Sequence, residues 1–238
     1  MKYSFESRIR YSEVGEDGKL TLFGLLNYFQ DCTIFHSESI GLGVDHLEQA
    51  KKIWVLQSWQ IDIARYPRMG EHVRVFTWPY AFKGFFGDRN FVMADENGEH
   101  VAWANSVWVF MDPATGRPSR VSEEELAGYE LAEKLDMDYQ DRRVRMPEGG
   151  SVKEPITVRR EYLDTNHHMN NGQYVRLGQL CLPADFSVKR LRAEYKAQAK
   201  LGDICIPEIV EQDNAVYVSL KNKQGAAYAN MEFCRERQ

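Results

Sequence analysis

The feature that most constrains this 238-residue chain is that it reads twice. Glu16-x-Gly18-x-Leu20 ahead of one helical segment matches Asp164-x-Asn166-x-His168 ahead of another, and Gly24 falls against Gly172. Further on, Asp62-x3-Tyr66-Pro67-Arg68-Met69-Gly70-Glu71 matches Glu194-x3-Gln198-Ala199-Lys200-Leu201-Gly202-Asp203. Identity is low but the order is kept, the mark of a duplicated structural unit. Each copy holds a helix followed by a strand series, which predicts two α+β units, each with a sheet packed on its own helix.

Local patterns fill in the first copy. Between Thr21 and Ser39, the residues Leu22, Leu25, Leu26, Phe29 and Cys32, then Ile34 and Phe35, predict a helix with one buried face. Alternation predicts strands over Ile53–Ala64, with Ile53, Val55, Gln57, Trp59, Ile61 and Ile63 on one face, and over Val73–Trp78. Asn97-Gly98 between Phe91–Asp95 and Val101–Phe110 is a tight-hairpin signal. Ser122 with Glu125 forms a capping box for a short helix through Ala132. The charged run Asp136–Arg145 and Pro147-Glu148-Gly149-Gly150 read as a polar connector. The expected organisation is therefore a unit over 1–135, a linker over 136–155 and a unit over 156–238. In the second unit a helix is expected from Asn171 to about Leu180, ahead of Pro183, with strands over Ile204–Val210, Val216–Leu220 and Ala226–Cys234.

Composition narrows the function classes. A net charge of −5 argues against a general nucleic-acid binder. No apolar stretch approaches a membrane span, and the opening Met1-Lys2-Tyr3-Ser4-Phe5-Glu6 has no signal-peptide core. Cys32, Cys181, Cys205 and Cys234 are far apart and show no metal-ligand pairing, so they read as reduced thiols of a cytoplasmic protein. No phosphate loop, dinucleotide glycine pattern, nucleophile elbow or H-E-x-x-H zinc motif is present.

Chemistry concentrates in Leu163-Asp164-Thr165-Asn166-His167-His168-Met169-Asn170-Asn171-Gly172-Gln173-Tyr174. If the segment is extended, Asp164, Asn166 and His168 share one face, with the N–H groups of the following helix start pointing back at them. A carboxylate, an amide, an imidazole and amides suited to an oxyanion, those around Asn170 to Gly172, are the parts needed for acyl hydrolysis. Glu16, Gly18 and Leu20 cannot do that chemistry, so the reactive centre is expected in the second copy. Caps and turns use the same residue types, and His167 reads as structural or exposed.

These motifs resemble those of the acyl-acyl-carrier-protein thioesterases of plants and bacteria. The resemblance is carried by Leu25-Leu26-Asn27-Tyr28-Phe29-Gln30-Asp31 with His36, Trp54-Val55, Arg65 to Glu71, and Ser106 to Asp112. In the second half it is carried by Asp164-x-Asn166-x-His168-x-Asn170-Asn171-x3-Tyr174 and Glu194-Tyr195-Lys196. It implies two tandem hotdog folds, each a long helix wrapped by an antiparallel sheet, hydrolysing fatty acyl thioesters without a cofactor. It implies Asp164, Asn166 and His168 as catalytic positions and an acyl pocket along the Thr21–Ser39 helix. Plant members carry a Glu-Cys pair four residues after the Glu-Tyr, where this chain has Gln198-Ala199; cysteine is thereby excluded as the nucleophile, and Gln198 is left to orient water or the carbonyl.

The partner implied is an acidic acyl carrier protein bearing phosphopantetheine, with no nucleic acid or membrane and the chain as monomer or homodimer. Lys189-Arg190-x-Arg192, Arg65 with Arg68, and Lys51-Lys52 are candidate docking cations. An acyl-CoA thioesterase, another hotdog enzyme such as a hydratase, and a non-catalytic acyl-binding module are the alternatives.

Overall fold

The computed structural model describes residues 2–236 and divides into two compact units. The first comprises Met1–Gln57 and Ile63–Tyr139; the second comprises Ser58–Asp62 and Gln140–Gln238. The first contains β1 (Tyr3–Arg8), α1 (Leu22–Ser39), α2 (Val44–Ala50), most of β2 (Ile53–Ile63), β3 (His72–Lys83), β4 (Phe86–Asp95), β5 (His100–Asp112), β6 (Arg117–Pro118) and α3 (Glu123–Gly128). Its strands pair antiparallel in the order β1-β3-β4-β5, with β6 on β5. At the β4–β5 turn Gly98 takes φ +82°, and the Asp95 carboxylate accepts the Asn97 and Glu99 N–H groups, so the Asn-Gly hairpin signal is realised.

Helix α1 starts at Thr21, whose hydroxyl accepts the Gly24 N–H at 3.0 Å. Its buried stripe runs Leu22, Leu25, Leu26, Phe29, Cys32, Thr33, His36 and Ser37, while Ile34 and Phe35 lie at the surface. The helical period, not apolarity, decides the face: 3.6 residues per turn carries polar side chains inward at the last two turns. They are accommodated by partners from the sheet and from the residue after α3. The Arg89 guanidinium meets His36 Nδ1 at 2.9 Å, and the Ser37 hydroxyl bonds the Tyr129 hydroxyl at 2.7 Å.

Burial, and then the nearby Arg89 charge, push the His36 pKa down from 6.5 to about 4. His36 is therefore neutral in the fold and must stay so. Its contribution is whole above pH 6.5 and is lost as the pH falls toward 4, a coupling on the order of 3 kcal/mol. Denaturant midpoints taken from pH 7.5 to pH 4 are expected to fall, and His36→Phe is expected to flatten that slope. A slope unaltered by the substitution would place the pH sensitivity elsewhere.

The sheet face away from α1 is not open to solvent. Trp78, Val92 and Ala94 form a cluster there, covered by Ala132 and Leu135. The Trp78 indole donates to the Glu133 carbonyl at 2.8 Å, and the Asn90 side-chain oxygen accepts from Leu135 N–H and the Tyr139 hydroxyl, both at 3.0 Å. The charged run expected to be a solvated connector is thus anchored at several points. Within the second unit, Gln140 N–H donates to the Gln60 side chain and Val144, 3% exposed, donates to Glu194.

The second unit contains β7 (Ser151–Val152), β8 (Ile156–Thr157), α4 (Asn171–Gln179), β9 (Arg190–Tyr195), β10 (Ile204–Glu211), β11 (Ala215–Lys221) and β12 (Ala227–Cys234). Residues Ser58–Asp62 of β2, then β9, β12, β11, β10 and β7 pair antiparallel in that order, and β8 adds to β10. Its helix is not long. At nine residues, α4 is half the length of α1, stopped ahead of Pro183. Gly178 allows it to sit close on the sheet, since a Cβ there would come within 2.8 Å of the Met231 side chain. No helix among the described residues is long and apolar enough to cross a membrane.

Candidate active site

The loop carrying Asp164, Asn166 and His168 is a closed turn, not an extended segment. Asp164 N–H donates to the His168 carbonyl at 2.8 Å, His167 N–H donates to the Asp164 carbonyl at 3.1 Å, and His167 takes φ +61°. The sharing of a face by strand alternation is therefore corrected. The signal was in the sequence: Asp, Asn and His favour turns and tolerate the left-handed region, and an Asp side chain caps N–H groups ahead of it. Asp164 Oδ1 does so, accepting from Asn166 N–H at 2.8 Å and His168 N–H at 3.2 Å.

The same frame stands in the first unit. Gly15 N–H donates to the Lys19 carbonyl and Gly18 N–H to the Gly15 carbonyl, with Gly18 at φ +71°. Thr21 N–H meets the Glu13 carbonyl there, as Asn170 N–H meets that of Tyr162 here. These bonds shift the repeat by one residue from the sequence register. The counterparts of Asp164, Asn166 and His168 are Gly15, Asp17 and Lys19, not Glu16, Gly18 and Leu20. The first unit still lacks an imidazole at this place. Around its turn a polar cavity of about 540 Å³ is lined by Lys19, Arg65, Tyr66, Arg68, Glu71 and Asp95.

Two strands of backbone set the candidate residues side by side. His168 forms an isolated antiparallel bridge with Lys200, and Met169 N–H donates to the Ala199 carbonyl at 2.8 Å. Gln198, exposed and next to Ala199, is thus brought beside the loop, together with His168 and Asp164. Asn166 is exposed at the tip of the turn, and no hydrogen bond joins its side chain to the others among the described residues. His168 Nδ1 is buried without a hydrogen-bond partner among the described residues. A buried orphan nitrogen is costly unless a ligand or water completes it.

The expected oxyanion donors are fewer than Asn170 to Gly172 suggested. Asn170 caps α4, its side chain accepting Gly172 N–H at 2.8 Å, and its own N–H is taken by Tyr162. Among these amides Asn171 N–H, the first of the helix, has no partner among the described residues. Sequence reasoning also missed Gln173: it is 8% exposed, and its side-chain oxygen is a second buried orphan in this stretch. Its place in the first turn of a helix gave no separate signal.

Most of the expected docking cations are spent within the fold. Arg190 is buried against Asp62 at 2.6 Å, and Arg192 binds Glu232 and the carbonyls of Asp141 and Arg143. Arg65 clamps Glu71 and Asp95, and Lys52 holds Asp112.

The family model described as the acyl-ACP thioesterase N-terminal domain matches residues 1–129, and that of the C-terminal domain matches residues 147–233. A chloroplastic acyl-[acyl-carrier-protein] hydrolase, FATB3, of Cuphea viscosissima is 31% identical over 179 residues, 70% of this chain and 43% of the relative. A chloroplastic palmitoyl-acyl carrier protein thioesterase of Gossypium hirsutum is 32% identical over 187 residues, 73% of this chain and 45% of the relative. The chain thus spans less than half the length of the curated relatives it matches. Among solved structures, an acyl-ACP thioesterase from Bacteroides thetaiotaomicron superposes with a TM-score of 0.89 at 22% identity, covering 98% of this chain and 97% of that one. The 12:0-ACP thioesterase of Umbellularia californica gives 0.84 at 22% identity, with 98% and 96% covered. These share the fold, an α+β architecture of repeated hotdog units. With both halves matched in order over nearly its whole length, the chain belongs to the acyl-ACP thioesterase family.

Proposed function

We propose that this protein hydrolyses fatty acyl-acyl-carrier-protein to a free fatty acid and the carrier thiol. One observation carries the reading. The turn that closes Asp164 on His168 sits beside the Gln198 segment, with an unpartnered imidazole nitrogen within it. In this mechanism Asp164 Oδ1 holds the loop. The second carboxylate oxygen either takes a proton from water as that water bonds to the thioester carbon, or itself attacks the carbon. The attack forms an acyl anhydride, which water then cleaves to the free acid and the carboxylate. As the carbon–sulfur bond breaks, His168 delivers a proton to the leaving thiolate. Asn171 N–H and the Gln198 amide stabilise the developing oxyanion, and the backbone N–H of Asn166, donating to Asp164 Oδ1, orients the carboxylate.

Docking of an acidic carrier is assigned to Arg159, Arg160, Lys196 and Lys200. All four are exposed. Val158 N–H to the Asp203 carbonyl and Gly202 N–H to the Val158 carbonyl tie the arginine pair to the Lys200 turn, which the His168 bridge ties to the loop. Their nearest ion pairs, Arg159 with Glu161 at 4.0 Å and Lys196 with Glu194 at 3.5 Å, are surface contacts worth little. The unpaired cysteines support a reducing compartment such as the cytoplasm.

The test is thiol release from carrier-linked and CoA-linked acyl series of matched chain length. At low salt kcat/KM is expected to be about tenfold higher on the carrier-linked series, falling as salt screens the cations. No thiol from any carrier-linked acyl chain would overturn the proposal; equal, salt-insensitive rates would make it an acyl-CoA thioesterase.

A further inference from the structure

Two tyrosines join the start of α4 to the segment bearing Gln198. The Tyr174 hydroxyl, from α4, accepts the buried Ala199 N–H at 2.8 Å. The Tyr195 hydroxyl, from the end of β9, donates to the Asn171 carbonyl at 3.0 Å. Their rings meet edge to face at 5.7 Å, so each braces the other. Ala199 is thereby held from both sides, its N–H by Tyr174 and its carbonyl by Met169 N–H.

The first unit shows that the fold does not need this. Its frame there is the same: Leu20 N–H donates to the Pro67 carbonyl as Met169 N–H does to that of Ala199. Ala64 and Arg65 N–H share the Val101 carbonyl as Lys196 and Ala197 share that of Tyr228. By this register Tyr174 corresponds to Leu25, Tyr195 to Ile63 and Ala199 to Pro67. Leu25 and Ile63 are fully buried and apolar, and proline has no N–H to satisfy. An apolar solution to the same backbone therefore exists in this chain. The unit with the candidate catalytic residues instead keeps a buried N–H and a phenol to receive it, an arrangement that fixes direction and distance as packing alone does not.

We infer that Tyr174 and Tyr195 are positioning residues that hold Gln198 and the Asn171 N–H in register around the thioester, an inference that rests on the function proposed above. Both hydroxyls are engaged with backbone groups, Tyr174 with Ala199 N–H and Tyr195 with the Asn171 carbonyl. Their effect is on the alignment of the groups that touch the reacting atoms, and belongs in kcat.

Tyr174→Phe and Tyr195→Phe, with Tyr174→Leu/Ala199→Pro to copy the first unit, test this on the full chain. Each is expected to lower kcat about tenfold with KM within about twofold, because misalignment taxes the transition state more than binding. Hydrogen exchange of the Ala199 amide is expected to speed up in Tyr174→Phe. If a Phe variant is too unstable to assay, the Leu/Pro variant, whose buried N–H is gone, supplies the same reading. Folded variants with wild-type kcat overturn the inference while the thioesterase reading stands. A wild-type protein that releases no thiol overturns both.

Discussion

His168→Gln is expected to lower kcat about a thousandfold, within the range general acid–base groups contribute. The loop itself survives this change. Its closure uses the backbone of His168, whose N–H bonds Asp164 and whose carbonyl accepts Asp164 N–H, and glutamine keeps both. Melting temperature should therefore stay within a few degrees of wild type while turnover collapses. Asp164 needs a different design, because its side chain is structural as well as reactive. Asp164→Asn keeps an oxygen for the Asn166 and His168 N–H groups but removes the charge; Asp164→Ala removes both. The asparagine variant is expected to lose activity with stability kept. The alanine variant should also lose about 1 kcal/mol, as for a lost side-chain cap, because the N–H groups it frees lie at or near the surface. Turnover of His168→Gln within about threefold of wild type would remove the imidazole from the mechanism.

The largest stability effect is expected at Asp62→Ala. Asp62 and Arg190 face each other across the β2–β9 pairing, 1% and 5% exposed, with Nε to Oδ1 at 2.6 Å. Gln60 donates to the other carboxylate oxygen at 2.9 Å. Removing the carboxylate takes from the Arg190 guanidinium its 2.6 Å carboxylate contact in the interior, and breaking a buried pair in this way costs about 3–5 kcal/mol. In a chain of this size that lowers the melting temperature by roughly 10 °C. Replacing both partners by methionine is expected to recover much of the loss, since two apolar side chains of similar volume need no desolvated charge to be compensated. Thermal or urea denaturation decides the matter. A loss under about 1 kcal/mol for the single variant would show that the Asp62 carboxylate is not what holds Arg190 in the interior.

Particular elements show where sequence reading succeeds. The Asn97-Gly98 hairpin, the Ser122 cap and the start of α1 each depend on residues within a turn of one another, and each appears where the pattern places it. Strand β9 was not legible. Lys189-Arg190-x-Arg192 reads as a surface docking run, yet its arginines face Asp62 and Glu232, and Glu194 beyond them accepts Val144 N–H. Those partners lie far off in sequence. The polar stretch after α3 misled in the same way, covering a sheet face that no local pattern marks as covered. In the candidate site the residue types were legible and the geometry was not. Asp164-Thr165-Asn166-His167 carries a turn signature that competes with the extended reading, and only the closing bond to His168 decides between them.

By itself the sequence determined the duplicated α+β plan and which half holds the imidazole, since these follow from residue type and short-range periodicity, while its ordered motifs carried the resemblance to the family. Only the tertiary structure decided the one-residue shift of the repeat, the burial of Arg190 and His36, and the Tyr174 bond to Ala199. Each of those depends on which distant groups meet in the interior, where the low dielectric makes a charge or N–H costly unless a partner is supplied.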